Sequence, residues 1–325
     1  MNSTQLLSGR RGMTGVAAIT ALVLALAVPG VAAASANGHP SYPVPYSFLP
    51  DMAAAPSNAP PPGANHWSCK PTDAHPYPVI LVHGLLSNQA DNWQTYGPLL
   101  ADNGYCVFTL TYGTRSSSPP FSFMGGLTPM PGDAKVLGRF VDKVLAATHA
   151  HKVDIVGHSE GATMPYWYLK FDGGAAKVAH MVGLSPVVHG SWVSGVPLID
   201  SWLTALGLPH AMESVLGGAC AACAEINPDS AWIAKLDRGG VAVPGVIYTQ
   251  VMTEYDELVV PYTSGNVDGP NSTNIVIQHQ CPADTVDHVS MGVDPNVAQD
   301  VLNALDPSRH KPVVCSPFVP VVGQL

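Results

Sequence analysis

The stretch Val153-Asp154-Ile155-Val156-Gly157-His158-Ser159-Glu160-Gly161-Ala162 decides how this chain is read. Its first half is a short apolar run rich in β-branched residues, the pattern of a strand buried on both faces. Its second half is G-x-S-x-G, and from Ala162 a helical pattern runs to Phe171. The pentapeptide alone carries little weight, because a chain this long contains it by chance roughly 0.1 to 0.2 times. Between a strand and a helix it acquires a mechanical meaning. A tight turn there lifts a serine hydroxyl clear of the carboxyl edge of a sheet, and the flanking glycines permit the close backbone approach. Ser159 is the candidate nucleophile, and the following helix N-terminus favours negative charge developing on a substrate.

Outward from this point the chain alternates strand and helix patterns. Strands are expected at 79–82, 105–112, 152–158, 178–184, 245–253 and 274–279, each a nearly continuous apolar run. Helices are expected at 92–103, 134–148, 162–171 and 295–305; in the second, Val136, Leu137, Phe140, Val141, Val144 and Leu145 recur at helical spacing as a core-facing stripe. The expected fold class is α/β, an α/β-hydrolase fold: a mostly parallel sheet with helices on both faces. A long insertion, 186–243, precedes the acid-bearing strand and carries Trp192, Trp202, Leu203, Leu206, Leu208, Met212, Val215 and Leu216. Insertions of this length in compact domains are usually functional, here as a lid or an acyl-binding wall, and otherwise as extra core.

The remaining chemistry must come from loops at the same sheet edge. His83-Gly84-Leu85 ends the first strand, where this fold places its second oxyanion donor, so the backbone N–H groups of Leu85 and Glu160 are assigned to the hole. The orienting acid should follow the serine, and Glu254-Tyr255-Asp256-Glu257 follows the next-to-last strand. Asp256 is chosen, with Glu254 and Glu257 as alternatives. His288, in Asp287-His288-Val289-Ser290 before the final helix, is the candidate general base. His279 falls inside the expected last strand and reads as a packed histidine. His149, His151, His180, His189 and His210 show no ligand spacing with Cys, Asp or Glu, so no metal and no cofactor are expected.

The ends and the composition set the context. Arg10-Arg11, the apolar stretch 13–28 and the small residues up to Ala36 read as a cleaved export signal, 1–36, too short and too abruptly closed by Pro29-Gly30 for a spanning helix. Residues 37–75 are rich in Pro and Ala, with Pro60-Pro61-Pro62, and read as a linker or surface wrap before a catalytic domain at 76–325. Among 325 residues 46% are hydrophobic and 11% charged, so a large core is available; the net charge of −9 without a Lys/Arg cluster argues against a nucleic-acid partner. Six cysteines in an exported chain point to disulfides. Of the 15 pairings open to six cysteines, Cys69 with Cys106, Cys220 with Cys223, and Cys281 with Cys315 are expected.

The segments Val79-Ile80-Leu81-Val82-His83-Gly84, Val153 to Ser159 and Tyr168-Leu169-Lys170 resemble the class 2 lipases, a family that includes small Bacillus lipases and a larger secreted actinobacterial branch. Asn92-Trp93, Gly104-Tyr105-Cys106-Val107-Phe108 and Tyr255-Asp256-Glu257 are similar to the actinobacterial branch, and the likeness runs from about Cys69 to Cys315. The resemblance implies cofactor-free hydrolysis of carboxylic esters or triacylglycerols. It implies a triad of Ser159, Asp256 and His288, with Leu85 and Glu160 at the oxyanion hole. The implied partner is a lipid or other ester, with transient contact at a lipid interface. Short-chain esterases, acyltransferases and polyester hydrolases use the same triad, so they stand as alternatives; a non-catalytic binding scaffold would have no use for all three side chains. Two features depart from the family pattern. Glu160 stands where Gln or Met is usual, and is expected to repel an anionic product or perturb His288. The insertion at 186–243 is much longer than in the small Bacillus enzymes, which have an open site.

Overall fold

In the computed structural model the described residues are 33–34, 40–115, 121–192, 220–320 and 323–324. All but two positions of the expected export segment, and the middle of the insertion (193–219, with Trp202, Leu203, Leu206, Leu208, His210, Met212, Val215 and Leu216), lie outside them. Six parallel strands form the central sheet: β1 (Val79–Val82), β2 (Val107–Leu110), β3 (Val153–His158), β4 (Val178–Leu184), β5 (Ile247–Met252) and β6 (Ser272–Val276), in the order β2-β1-β3-β4-β5-β6. The order reverses between β1 and β3, and the crevice at the carboxyl ends beside such a switch is where open α/β sheets bind ligands. Register aligns Val82 with Gly157 and His158 with Leu184, so the loops after β1 and β3 leave the sheet side by side.

The apolar runs form strands because both faces of the sheet are covered. Ile80, Val82, Phe108 and Ile155 point into one core, and Val79, Leu81, Val107 and Val156 into the other, the period of two that a pleated strand imposes. On the first face pack α3 (Met130–Thr148), through Leu137, Val141 and Val144, and α4 (Met164–Phe171); Val136, Phe140 and Leu145 border this stripe half-buried. On the second face pack α2 (Tyr96–Asp102), through Tyr96 and Leu100, and α8 (Pro295–Leu305), through Val297 and Val301. The α8 boundaries follow from local chemistry. Asp294 caps its first turn by accepting from the Val297 N–H at 2.8 Å, and Pro295 sits at the first helical position, where no N–H is needed.

Two expectations change. The last strand ends at Val276 and the chain turns into α7 (Ile277–Gln280), so His279 is not packed: its side chain is 70% exposed and lies 3.5 Å from Glu254. β6 is an edge strand, with β5 on one side and, among the described residues, no strand on the other. The described residues 40–75 form more than a surface wrap. They contain α1 (Leu49–Ala54) and insert Phe48 and Ala64 into the core, while buried Asp51 accepts from the Gln94 N–H at 3.0 Å. Two further helices, α5 (Ala221–Glu225) and α6 (Ala231–Asp237), occupy the described end of the insertion. The three expected disulfides are formed, Cys69–Cys106, Cys220–Cys223 and Cys281–Cys315. The first and last close loops of 37 and 34 residues, for which chain entropy alone predicts on the order of 4 kcal/mol each.

Candidate active site

Ser159 stands at the junction of β3 and a 3-10 turn, Ser159–Ala162, that leads into α4, with φ of 56°. A positive φ is strained for a side chain with a Cβ, and it is held by contacts that only glycine allows. A Cβ on Gly157 would lie 2.0 Å from the Gly161 carbonyl oxygen, and one on Gly161 would lie 2.1 Å from the Val82 oxygen. Both glycines of the motif are thus required by neighbouring backbone.

The loop after β1 lies directly against this turn. A Cβ on Gly84 would come within 3.2 Å of the Ser159 Cβ. The loop is braced from beneath by His83, which is fully buried and stacks on Tyr112 at 4.4 Å. Its Nδ1–H donates to the Gly84 carbonyl at 2.8 Å and its Nε2 accepts from the Tyr112 N–H at 3.2 Å. Burial holds the His83 pKa down at about 4, so this brace stays neutral. Among the described residues the Leu85 N–H has no protein partner. The Glu160 N–H lies in the first turn of the 3-10 segment, where helical N–H groups have no partner within the helix.

Asp256 follows β5 and His288 follows α7, and the two meet at the same edge. His288 Nδ1 lies 2.9 Å from both carboxylate oxygens of Asp256, and both side chains are buried. Asp256 Oδ1 also accepts from the N–H groups of Leu258, at 3.0 Å, and Val259, at 2.7 Å. Burial alone would raise the Asp256 pKa, but the charge and hydrogen bond of His288 and the Val259 N–H hold it below the ordinary carboxylate range. Burial likewise opposes a charged His288, yet Asp256, then Glu257 and Asp287, raise its pKa above the ordinary imidazole value. Of the alternative acids, Glu254 faces His279 at the surface, and Glu257 accepts the His288 backbone N–H at 3.2 Å instead of the ring.

Ser159 and His288 line one cavity of about 140 Å³, without a direct hydrogen bond between them among the described residues. Its walls are apolar: Phe48 from the N-terminal segment, Val187 and Ile226 from the two described ends of the insertion, Leu86, Val259 and Val289 from the edge loops. Among the described residues no group of three or more His, Cys, Asp or Glu is placed to hold a metal ion, and no helix is long and apolar enough to cross a membrane.

The family model described as lipase (class 2) matches residues 76–300. This chain belongs to the class 2 lipase family. Curated triacylglycerol lipases from Pseudarthrobacter phenanthrenivorans and Burkholderia plantarii are each 36% identical to it over 91 residues, which is 26% of this chain. The match spans 25% and 23% of their respective lengths, about a quarter of each relative. The crystal structure of Aspergillus fumigatus lipase B superposes with a TM-score of 0.58 at 18% identity, over 80% of this chain and 58% of the other, a likeness of fold.

In this class 2 lipase the side chain after Ser159 is buried. Glu160 turns its carboxyl away into the protein, fully buried, where Oε1 accepts from the Tyr112 hydroxyl at 3.3 Å and Oε2 finds no partner among the described residues. Burial first, and then the neighbouring carboxyl of Asp133, push its pKa well above the ordinary range. Sequence reasoning also missed Phe48, hidden in a linker-like composition, and Asn92 and His158. The last two occupy positions of the family-like motifs and line the cavity.

Proposed function

We propose that this lipase is a secreted carboxylic ester hydrolase acting on triacylglycerols through an acyl-enzyme on Ser159. The observation that carries this reading is a buried His288, hydrogen-bonded to Asp256, that lines the same apolar cavity as a serine held at positive φ. In the cycle, Ser159 Oγ attacks the ester carbonyl while His288 Nε2 takes its proton, and Asp256 holds the ring and offsets the imidazolium charge. The N–H groups of Leu85 and Glu160 receive the oxyanion, each worth roughly 3 kcal/mol in the transition state. His288 returns the proton to the departing alcohol, and water activated by the same ring hydrolyses the acyl-enzyme.

Apolar walls from 37–75 and from the ends of 186–243 favour a fatty acyl chain over a small acyl group. The insertion then acts as acyl-binding wall. Exposed Leu49, Trp192 and Val260 directly follow the lining residues Phe48, Ser191 and Val259 in the chain, which supports contact of the cavity mouth with a lipid surface. Three disulfides support export, with 1–36 as the removed signal and 76–325 as the catalytic domain.

The test is a hydrolysis series over p-nitrophenyl esters from acetate to palmitate, with Ser159→Ala as control, in dispersed and emulsified form. Loss of all activity in Ser159→Ala, with long-chain rates rising at the interface, is expected. Activity surviving in Ser159→Ala overturns the mechanism; a rate confined to acetate and butyrate, with no interfacial rise, assigns a short-chain esterase.

A further inference from the structure

Along the cavity wall a line of hydrogen bonds joins three loops. The Gly84 N–H donates to Asn92 Oδ1 at 2.9 Å. Asn92 Nδ2 lies 3.1 Å from His158 Nδ1, and His158 Nε2 lies 2.9 Å from the backbone oxygen of His288. Asn92 Oδ1 also lies 3.3 Å from His158 Nδ1, so the direction of this link follows from the tautomer that the two ends of the chain favour. A carbonyl oxygen only accepts, so His158 carries its proton on Nε2. A neutral ring then leaves Nδ1 with a bare lone pair, which requires the NH₂ of Asn92, whose oxygen is thereby turned to the Gly84 N–H. Asn92 and His158 are both buried, and Gly292, on the turn after His288, is so close that an added Cβ would stand 3.1 Å from Asn92 Nδ2.

We infer that Asn92 and His158 are positioning residues that lock the oxyanion loop to the loop of the general base, through this one-way chain of donors. The inference rests on the triad proposed above. Each link ends on a group with a catalytic neighbour: Gly84 precedes Leu85, His158 precedes Ser159, and the last acceptor belongs to His288 itself. A small shift in any loop is therefore passed to the others, where misplacement by about 1 Å can cost on the order of a hundredfold in rate. The chain works only while His158 is neutral, since a second ring proton would face the amide donors of Asn92. Burial first, and then His288, hold the His158 pKa at about 3; the titratable groups facing it are His288, Asp256 and His83. It also stands with its ring centroid 5.1 Å from that of His288, where a second cation would oppose the imidazolium formed in each turnover.

Two measurements decide the matter. In ¹⁵N spectra of the wild-type enzyme, His158 should show a protonated Nε2 and a bare Nδ1, with no titration between about pH 5 and 9; in Asn92→Asp, which presents a second acceptor to the ring, Nδ1 should gain a proton and the acid limb of kcat/KM should move. In kinetics, His158→Leu should lose about 10- to 100-fold in kcat with KM within about twofold. His158→Gln, whose amide can still donate to the His288 carbonyl, should recover most of that loss. A wild-type His158 protonated on Nδ1, or equal kcat for His158→Leu and wild type, overturns the inference. If His158→Leu does not fold, the wild-type spectrum decides alone. Ser159→Ala separates this from the function itself: ester hydrolysis surviving there sinks the proposed triad, whereas an inactive Ser159→Ala beside a fully active His158→Leu sinks the positioning role alone.

Discussion

Asp256 and Glu160 are both buried carboxyls beside the proposed triad serine or histidine, and the protein drives them in opposite directions. Asp256 receives the His288 ring and two backbone N–H groups, and its pKa is lowered. Glu160 has one shared donor: the Tyr112 hydroxyl that reaches it at 3.3 Å also lies 2.9 Å from the His83 carbonyl, which it can serve with its single proton. Nearby stand two more carboxyls, Asp133, itself raised to about 6 by burial, and Glu225, which accepts the Met130 N–H at 2.6 Å. Burial disfavours both anions alike, so depth does not distinguish them. The donors aimed at each oxygen do.

The largest effect expected from breaking this contrast is at Asp256. Asp256→Asn keeps the shape and removes the charge, leaving the ring of His288 in the wrong tautomer, and should lower kcat by about 10⁴-fold with the fold intact by circular dichroism. Loss of less than tenfold would mean that Asp256 does not orient the base. A pH–rate profile sharpens the same side. His288 must be neutral to take a proton and its pKa is raised, so kcat/KM of the wild type should fall as pH drops through a midpoint above the free imidazole value of about 6.5. A midpoint below that value would contradict the ion pair.

On the other side, Glu160→Gln imitates the protonated acid. A carboxyl whose folded pKa is raised contributes stability that is present below its unfolded pKa and lost as pH climbs toward the folded value. The wild type bears this loss and the glutamine variant does not. The difference in unfolding free energy should therefore shift in favour of Glu160→Gln as pH rises from 5 to 9, by up to about 1.4 kcal/mol per pH unit. A pH-independent difference would show that Glu160 is already ionised. The smallest effect is expected for Asp133→Asn, which retains an acceptor for Thr128 while removing a neighbouring negative charge. It should bring the Glu160 pKa down and narrow the alkaline loss of stability without changing kcat.

The same contrast shows what a sequence discloses and what it withholds. The parallel strands were legible because burial on both faces demands apolar runs, unbroken in 79–82 and interrupted only by Asp154 in 153–156, and Ser159 stood out because its strained turn demands glycines on both sides. The last strand was misread at its end, since an edge strand with one neighbour leaves residues such as His279 in solvent, and apolar patterning there is weak. Three acids within four positions, Glu254, Asp256 and Glu257, carry the same chemistry in sequence; only the path of the loop after β5 turns one to the ring, one to a backbone N–H and one to the surface. The state of Glu160 was beyond local reading altogether. Burial raises its pKa first, and then Asp133 at the start of α3 and Glu225 at the end of α5, which meet it only in the folded chain.

The central claim, that a serine at the β3 turn is made nucleophilic by a buried imidazole, is tested most directly by a p-nitrophenyl alkylphosphonate. Attack by Ser159 Oγ would release one equivalent of p-nitrophenol and leave a stable adduct. The account predicts that stoichiometry, with the adduct mass on the peptide containing Ser159, abolished in Ser159→Ala and strongly slowed in Asp256→Asn. An enzyme that hydrolyses esters yet takes no label at Ser159, or takes it at another residue, would contradict the account at its root.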